Sequence, residues 1–290
     1  PTLIAVFSSP HRLEFFDVNG QKAGLGPEVT GVGRIIRTSP GWLAAATDRQ
    51  IGLCDLRRGT QRRVDVSLVE LTHLAIRPDT FGLATVQERD RVGRVTPAGR
   101  WVWKHELRSP VEDLVIGPEG FAAVTTNHGE VMIFDPAGTP TVGAVLDPSD
   151  PPLLIESPDA LTSDVVWIAL SRRMQQLSGH DLRGRVKWTR PLPWDGWSLT
   201  RVGRYAVVAS VDGKTQAYDS AGTLRFEGPA SGQSNDHYFV DATGEPLRLT
   251  RKDVHLICTS LDGRVRWRAV GDQPLGPLAV GESGVAILVG

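Results

Sequence analysis

Ser178, His180 and Asp181 fall within the four residues SGHD, the side-chain types of a nucleophile, a general base and an orienting carboxylate. A relay needs all three within hydrogen-bond reach of one another. This stretch sits in an alternating, strand-like run in which neighbours point to opposite faces, so the sequence predicts no relay and no catalytic residue. None of the spacings HExxH, CxxC, GxxxxGK[ST] or GxGxxG occurs, which removes the usual metal-hydrolase, dithiol and nucleotide-cradle motifs. The histidines are scattered without ligand spacing. Cys54 and Cys258 stand far apart in alternating runs and are expected as buried thiols rather than a disulfide or zinc ligands. Asp17, Asp135, Asp181 and Asp219 each lie three residues before a glycine, with Asp55 one residue farther from Gly59. Such carboxylates are predicted to accept backbone N–H bonds and fix a turn. Equivalent positions on successive units lie too far apart to share an ion, so no metal and no cofactor are expected.

The elements that carry these residues repeat. Turn glycines recur at Gly20, Gly59, Gly99, Gly138, Gly184, Gly222 and Gly263, a spacing of 39, 40, 39, 46, 38 and 41. A period near forty is the length of one four-stranded propeller blade. A second landmark keeps step about twenty residues upstream, a short apolar run ending in a turn, as in HLAIRPDTFG, DLVIGPEG and SLTRVGR. Next come small apolar strands such as WLAAATD, FAAVTTN and YAVVASV, then the strand leading to the Asp, then one more after the glycine. Gly, Pro, Asp and Asn separate the runs, and helical periodicity is nearly absent. The residue four after the turn glycine is Trp103, Val142, Trp188, Phe226 and Trp267 in five units, with Gly24 and Arg63 as exceptions. A ring there is predicted to cover the face of the next sheet.

The runs DLRGRVKW, PAGRWVW and LDGRVRW resemble the pyrroloquinoline-quinone-type repeat of bacterial β-propellers, related in architecture to tryptophan-aspartate repeat propellers. The resemblance spans nearly the whole chain and implies architecture, since folds of this kind host unrelated activities. Quinone-dependent dehydrogenases of that group present adjacent cysteines, and no Cys-Cys pair occurs here. The expected fold is all-β, a single seven-bladed β-propeller domain over 1–290, made of four-stranded antiparallel blades. The blades fall at about 2–27 plus 275–290, 29–67, 68–107, 108–147, 151–193, 194–229 and 230–270. PLAVGES is expected to supply the inner strand of the N-terminal blade and to close the ring. GVAILVG is left over, as an extra strand, a tail or part of an eighth blade.

With 40% hydrophobic residues the chain can bury a large core, and 32 Lys plus Arg against 33 Asp plus Glu exert no global pull on nucleic acid or an anionic membrane. The N-terminus has no basic region before an apolar run, and no stretch is long enough to span a bilayer, so a cytoplasmic protein is expected. Function then falls to loops. Those joining second to third strands supply Arg12, Arg49, Arg89, Arg91, Arg172, Arg173, Lys214, Arg251 and Lys252. The loop PLPWDGWS adds Trp194, Asp195 and Trp197, two aromatic candidates for anchoring a partner. The leading reading is a non-catalytic protein-protein interaction scaffold in a bacterial multi-protein assembly, with protein rather than nucleic acid as partner. The alternative is a small-molecule or carbohydrate-active enzyme of lactonase or glycosidase type, working from the axial cavity.

Overall fold

A computed structural model describes residues 3–9, 12–17, 22–28, 35–39, 42–46, 50–55, 58, 60–65, 71–77, 80–85, 91–96, 100–145, 151–158, 160, 163–231, 236–240, 243–252, 255–270, 278–280 and 286–288. The structure is all-β among the described residues, apart from one short turn of 3-10 helix at Pro118–Gly120. Among the described residues, no helix is long and apolar enough to cross a membrane.

Six four-stranded antiparallel sheets follow one another along the chain. The first holds Ile35–Ser39, Trp42–Ala46, Gln50–Asp55 and Thr60–Asp65, and the second holds Leu71–Arg77, Thr80–Thr85, Arg91–Val95 and Trp101–Glu106. Val111–Ile116, Ala122–Thr126, Glu130–Phe134 and Pro140–Val145 make the third; Leu153–Glu156, Trp167–Ser171, Gln176–His180 and Val186–Pro191 make the fourth. Gly196–Val202, Tyr205–Ser210, Thr215–Tyr218 and Leu224–Gly228 form the fifth. The sixth comprises His237–Val240, Pro246–Lys252, His255–Ser260 and Val265–Val270. In each, strands neighbouring in sequence neighbour in space, as short turns require. The first strands of successive sheets pack beside each other, from Ile35–Ser39 through to His237–Val240.

A further sheet of five strands joins the two ends of the chain, in the order Leu278–Val280, Ala286–Leu288, Leu3–Ser9, Arg12–Asp17, Lys22–Glu28. PLAVGES takes the inner position expected of it, and GVAILVG, left over in the sequence, is the extra strand between it and Leu3–Ser9. The strand beside Leu3–Ser9 is Ala286–Leu288, from GVAILVG, with Ala5 opposite Ile287 and Val6 opposite Leu288 in parallel register. Leu278–Val280, from PLAVGES, pairs antiparallel with Ala286–Leu288. It packs beside His237–Val240, while Lys22–Glu28 lies against Gln50–Asp55 and Thr60–Asp65.

The aspartates hold the turns between third and fourth strands. Asp135 Oδ1 accepts the N–H groups of Ala137 and Thr139 at 2.9 and 2.8 Å, Asp181 those of Arg183 and Arg185 at 2.9 and 3.0 Å, and Asp219 those of Ala221 and Thr223 at 3.0 and 2.8 Å. Asp55 accepts the Arg58 N–H at 3.1 Å. Asp17 is on a strand whose side chains lie outside the described residues. Each turn then passes through a glycine at positive φ, 90° at Gly138, 75° at Gly184 and 73° at Gly222, where a side chain would be strained.

Gly138 and Gly222 also receive aromatic rings. A Cβ on Gly138 would come within 2.5 Å of the Trp103 ring, and one on Gly222 within 2.6 Å of Trp188, each ring reaching over from the preceding sheet. Trp188 Nε1 donates to the Ser220 carbonyl at 2.9 Å. The residue two farther along reaches the same turn: His105 Nε2 donates to the Gly138 carbonyl at 2.6 Å and Arg190 Nε to the Gly222 carbonyl at 2.7 Å. Beneath, Trp103 stacks on Phe134 with ring centroids 5.0 Å apart, inside a cluster with Val92, Leu114, Ile116 and Val124. Trp103 is 7% exposed, whereas Trp267, at the same place in the repeat, is 43% exposed. Both cysteines are buried, as expected, and burial pushes the Cys54 thiol up to about 11.

The difference between the two tryptophans is measurable. Trp103→Ala should cost about 3–5 kcal/mol in urea denaturation, the range for emptying a buried aromatic site. Trp267→Ala should cost less than about 1.5 kcal/mol, since nearly half of its ring is already in water. Equal losses would contradict the seam described here.

Candidate functional site

One end of the molecule carries the loops that join second to third strands and those that lead from one sheet to the next. Two of these are tied together. In the 172–175 loop the Gln175 carbonyl accepts the Leu192 N–H at 2.7 Å, and the Gln175 side-chain amide donates to Asp195. Gly196 pairs with Ser210, with a bulge at Trp197, and the chain turns through Val211–Lys214. The Ser210 hydroxyl accepts the Lys214 N–H at 2.9 Å, and Lys214 pairs with Asp212 at 3.1 Å.

Around these contacts stand three exposed apolar side chains: Met174 at 54%, Trp197 at 51% and Val211 at 55%. Among the described residues, the other large exposed apolar side chains, Val102, Val186, Leu224, Val265 and Trp267, sit on the outermost strands of four different sheets. The loop-end patch is therefore set apart by its grouping. Arg172 and Arg173 precede Met174 directly. The two tryptophans predicted as anchors separate: Trp194 packs against the core cluster of Ile168, Leu170, Leu192 and Val208, while Trp197 faces solvent.

The remaining candidates are dispersed. Arg91 pairs with Glu106 at 2.9 Å on a different sheet, and Lys252 is exposed at the end of Pro246–Lys252. Arg12 and Arg251 lie on Arg12–Asp17 and Pro246–Lys252, with side chains outside the described residues, as are Arg49 and Arg89 altogether. Sequence reading missed Met174 and Val211. Their signal was available, since apolar side chains inside the otherwise polar loops SRRM and SVDG have no core to face.

Ser178 and His180 correct the reason for expecting no relay, that the strand sends its residues to opposite faces. They are two residues apart on one strand, hence on the same face, and Ser178 Oγ lies 2.8 Å from His180 Nε2. His180 Nδ1 donates to the Gly184 carbonyl at 3.2 Å, so Nε2 of the neutral ring accepts from the serine. Burial is the main cause that holds the imidazole below its ordinary pKa, against the opposing pull of the Gly184 carbonyl and Asp181. Asp181 turns away to its own turn and to Arg185 Nε at 2.7 Å. Ser178 and His180 are both buried, so the pair packs the interior and the relay lacks its third member.

Charges on the inner strands are likewise engaged. Asp113 accepts the Leu154 N–H of the next sheet at 2.8 Å, and Glu156 pairs with Arg201 at 2.9 Å. Between the fifth and sixth sheets, buried Arg248 donates to the Gly213 and Pro229 carbonyls at 3.1 and 2.9 Å, and its Nε lies 3.8 Å from Asp236. Asp236 also accepts from Thr250 at 2.7 Å, yet burial raises its pKa. Among the described residues, no group of His, Cys, Asp and Glu is arranged to hold a metal ion.

No protein-family profile and no curated protein sequence matches the chain. Solved structures do. The β-propeller domain of Cps50 (Swd1) from Myceliophteria thermophila superposes with a TM-score of 0.65 at 17% identity, covering 87% of this chain and 90% of its own. Streptogramin B lyase gives 0.65 at 12% identity, with 91% and 92% covered. BBS1N, solved in complex with ARL6DN, gives 0.59 at 14% identity, with 88% and 86% covered. The fold is a β-propeller. At these identities the likeness extends to architecture and no further.

The buried histidine predicts a pH dependence. Its folded pKa is depressed, so both states are neutral above about pH 7 and its contribution is fully present there. Below about 6.5 the unfolded chain binds a proton that the folded one refuses, so stability falls. Between pH 7.5 and 5.5 the melting temperature of His180→Gln should fall less than that of the wild type; an equal fall would refute the assignment.

Proposed function

We propose that the protein is a non-catalytic interaction scaffold, a subunit or domain of a multi-protein bacterial assembly in the cytoplasm, gripping a protein partner on its loop end. The observation that carries this reading is the grouping of Met174, Trp197 and Val211 in the open, beside Arg172 and Arg173. Aromatic and methionine side chains flanked by arginine are what the centres of protein interfaces enrich. The hydrogen bonds from Gln175 to Asp195 and from Leu192 to Gln175 hold the two loops before a partner arrives, which lowers the ordering cost of binding. Lys214 and Asp195 stand at the rim, where charge acts mainly on association rate and specificity. BBS1N, a neighbour in fold, was solved holding a protein partner.

In the same reading the six four-stranded sheets and the sheet of terminal strands are the seven blades of a closed ring, with pyrroloquinoline-quinone-like repeats. The blade bounds are about 2–27 plus 275–290, 29–67, 68–107, 108–147, 151–193, 194–229 and 230–270. Support comes from the unbroken succession of first strands packed side by side and from the joining of both chain ends in one sheet. The non-catalytic assignment is supported by the inner-strand carboxylates: Asp113 and Glu156 are committed to Leu154 and Arg201.

The test is capture of the partner by tagged protein from its own cells, followed by titration with Met174→Ala plus Trp197→Ala. Removing two central anchors should weaken binding by about 2 kcal/mol or more, roughly thirtyfold. Trp194→Ala should instead lower the melting temperature. No stable partner, or unchanged affinity in the double variant, would overturn the reading.

A further inference from the structure

The sixth four-stranded sheet breaks the repeat at one place on its second strand, opposite the residue that leads into the turn between third and fourth strands. Backbone pairing sets Leu43 opposite Cys54, Phe81 opposite Val95, Ala122 opposite Phe134, Trp167 opposite His180 and Ala206 opposite Tyr218. The sixth sheet sets Arg248 opposite Thr259. Five sheets give the place to an apolar residue, and this one buries a guanidinium there.

A buried charge needs a counter-charge and hydrogen bonds around it. Exchanging such a pair for apolar side chains commonly costs nothing, so stability does not explain why one sheet in six keeps it. The bonds of Arg248 give another reason. Nε lies 3.8 Å from Asp236 Oδ2 and donates to the Thr259 hydroxyl at 3.3 Å, while Nη1 reaches across the seam to the carbonyls of Gly213 and Pro229 at 3.1 and 2.9 Å. Asp236, buried too, accepts from the hydroxyls of Thr250 and Ser231. The guanidinium is thus held from its own sheet and aimed into a turn of the fifth.

That turn is Val211–Lys214, at the loop end. Val211, Asp212 and Lys214 are exposed, and Gly213 is buried among them. The Gly213 N–H donates to the Ser210 carbonyl at 3.0 Å and the Lys214 N–H to the Ser210 hydroxyl at 2.9 Å, bonds that shape the turn without tying it to anything else. The bond from Arg248 ties it to the neighbouring sheet. Because the same nitrogen holds Pro229, where the chain leaves the fifth sheet for the sixth, turn and connection are fixed together.

We propose that Arg248, held by Asp236, is a positioning residue for the partner surface, fixing the Val211–Lys214 turn and so the place of Val211 at the loop end. The role rests on the scaffold reading; the tether itself rests on the seam alone. A loop set beforehand in its bound form binds at a lower ordering cost. Arginine suits the task, since its planar fork answers several acceptors at once where lysine offers a single point charge.

Amide hydrogen exchange on the full chain tests it, with Arg248→Met plus Asp236→Asn, which removes both charges and leaves neither buried alone. Each protein is compared at the same interval below its melting temperature, which cancels a global loss of stability. Gly213 and Lys214 should exchange about tenfold faster or more, while Ala206, Val207 and Val208 on the adjoining strand keep their rates. Arg248→Lys, which keeps the charge, should fall between the two. With the captured partner, the double variant should bind about fivefold or more weakly, and Val211→Ala should cost less affinity in that background than in the wild type. Unchanged exchange at Gly213 and Lys214, an equal rise along Ala206, Val207 and Val208, or full additivity with Val211→Ala would each overturn the proposal. Exchange is read without a partner, so failure there sinks the tether while the scaffold reading survives; altered exchange with no partner captured sinks the scaffold reading while the tether survives.

Discussion

At two seams a sheet grips the next by laying a flat side chain of its outer strand on the neighbour's glycine turn, Trp103 on Gly138 and Trp188 on Gly222. The turn must lack a Cβ for the ring to settle, must adopt positive φ to reverse the chain, and must have its carbonyls answered once water is displaced. Gly138 and Gly222 meet the first two demands. Trp188 Nε1, Arg190, His105 and Arg94 meet the third, with bonds to the carbonyls of Ser220, Gly222, Gly138 and Pro136. Burial of the ring and satisfaction of the backbone are thus one event, which is why ring, carboxylate and glycine recur at fixed spacing.

The consequence for function is a division of labour. Where two sheets meet, the interior is mostly apolar, and several of its polar groups are bonded to one another, as with Ser178 and His180 or Arg248 and Asp236. The loops carry no such obligation. Their backbone polar groups are paired locally, as Ser210 is with Lys214, so side chains like Met174 and Trp197 can be spent on the outside.

Much of this was readable in advance because its causes are local. A period of about forty, an aspartate before a glycine and a ring four residues later are each imposed within one unit. What escaped depended on sharing a face or on residues distant in sequence. Ser178 and His180 were judged as neighbours when the relevant interval was two. Arg248 meets Asp236 and the Gly213 carbonyl, twelve and thirty-five residues away by subtraction, and nothing local in the chain announces it. The place of the extra strand was left open for a similar reason: both C-terminal runs are short and apolar, and either could have sat beside Leu3–Ser9. Trp194 and Trp197 looked alike in PLPWDGWS, yet the fold packs one, half-buried, against the cluster of Leu170 and Val208 and leaves the other in solvent.

The seams are not copies of one another. Trp103 faces Phe134 and Trp188 packs with Tyr218, two rings against two rings, whereas the unit after Val142 offers His180 and the one after Arg63 offers Val95. A unit lifted out and set down elsewhere in the circle would bring a ring to a place shaped for a smaller group, or leave a hollow where a ring belongs. The order of the modules is therefore written into their mismatched edges.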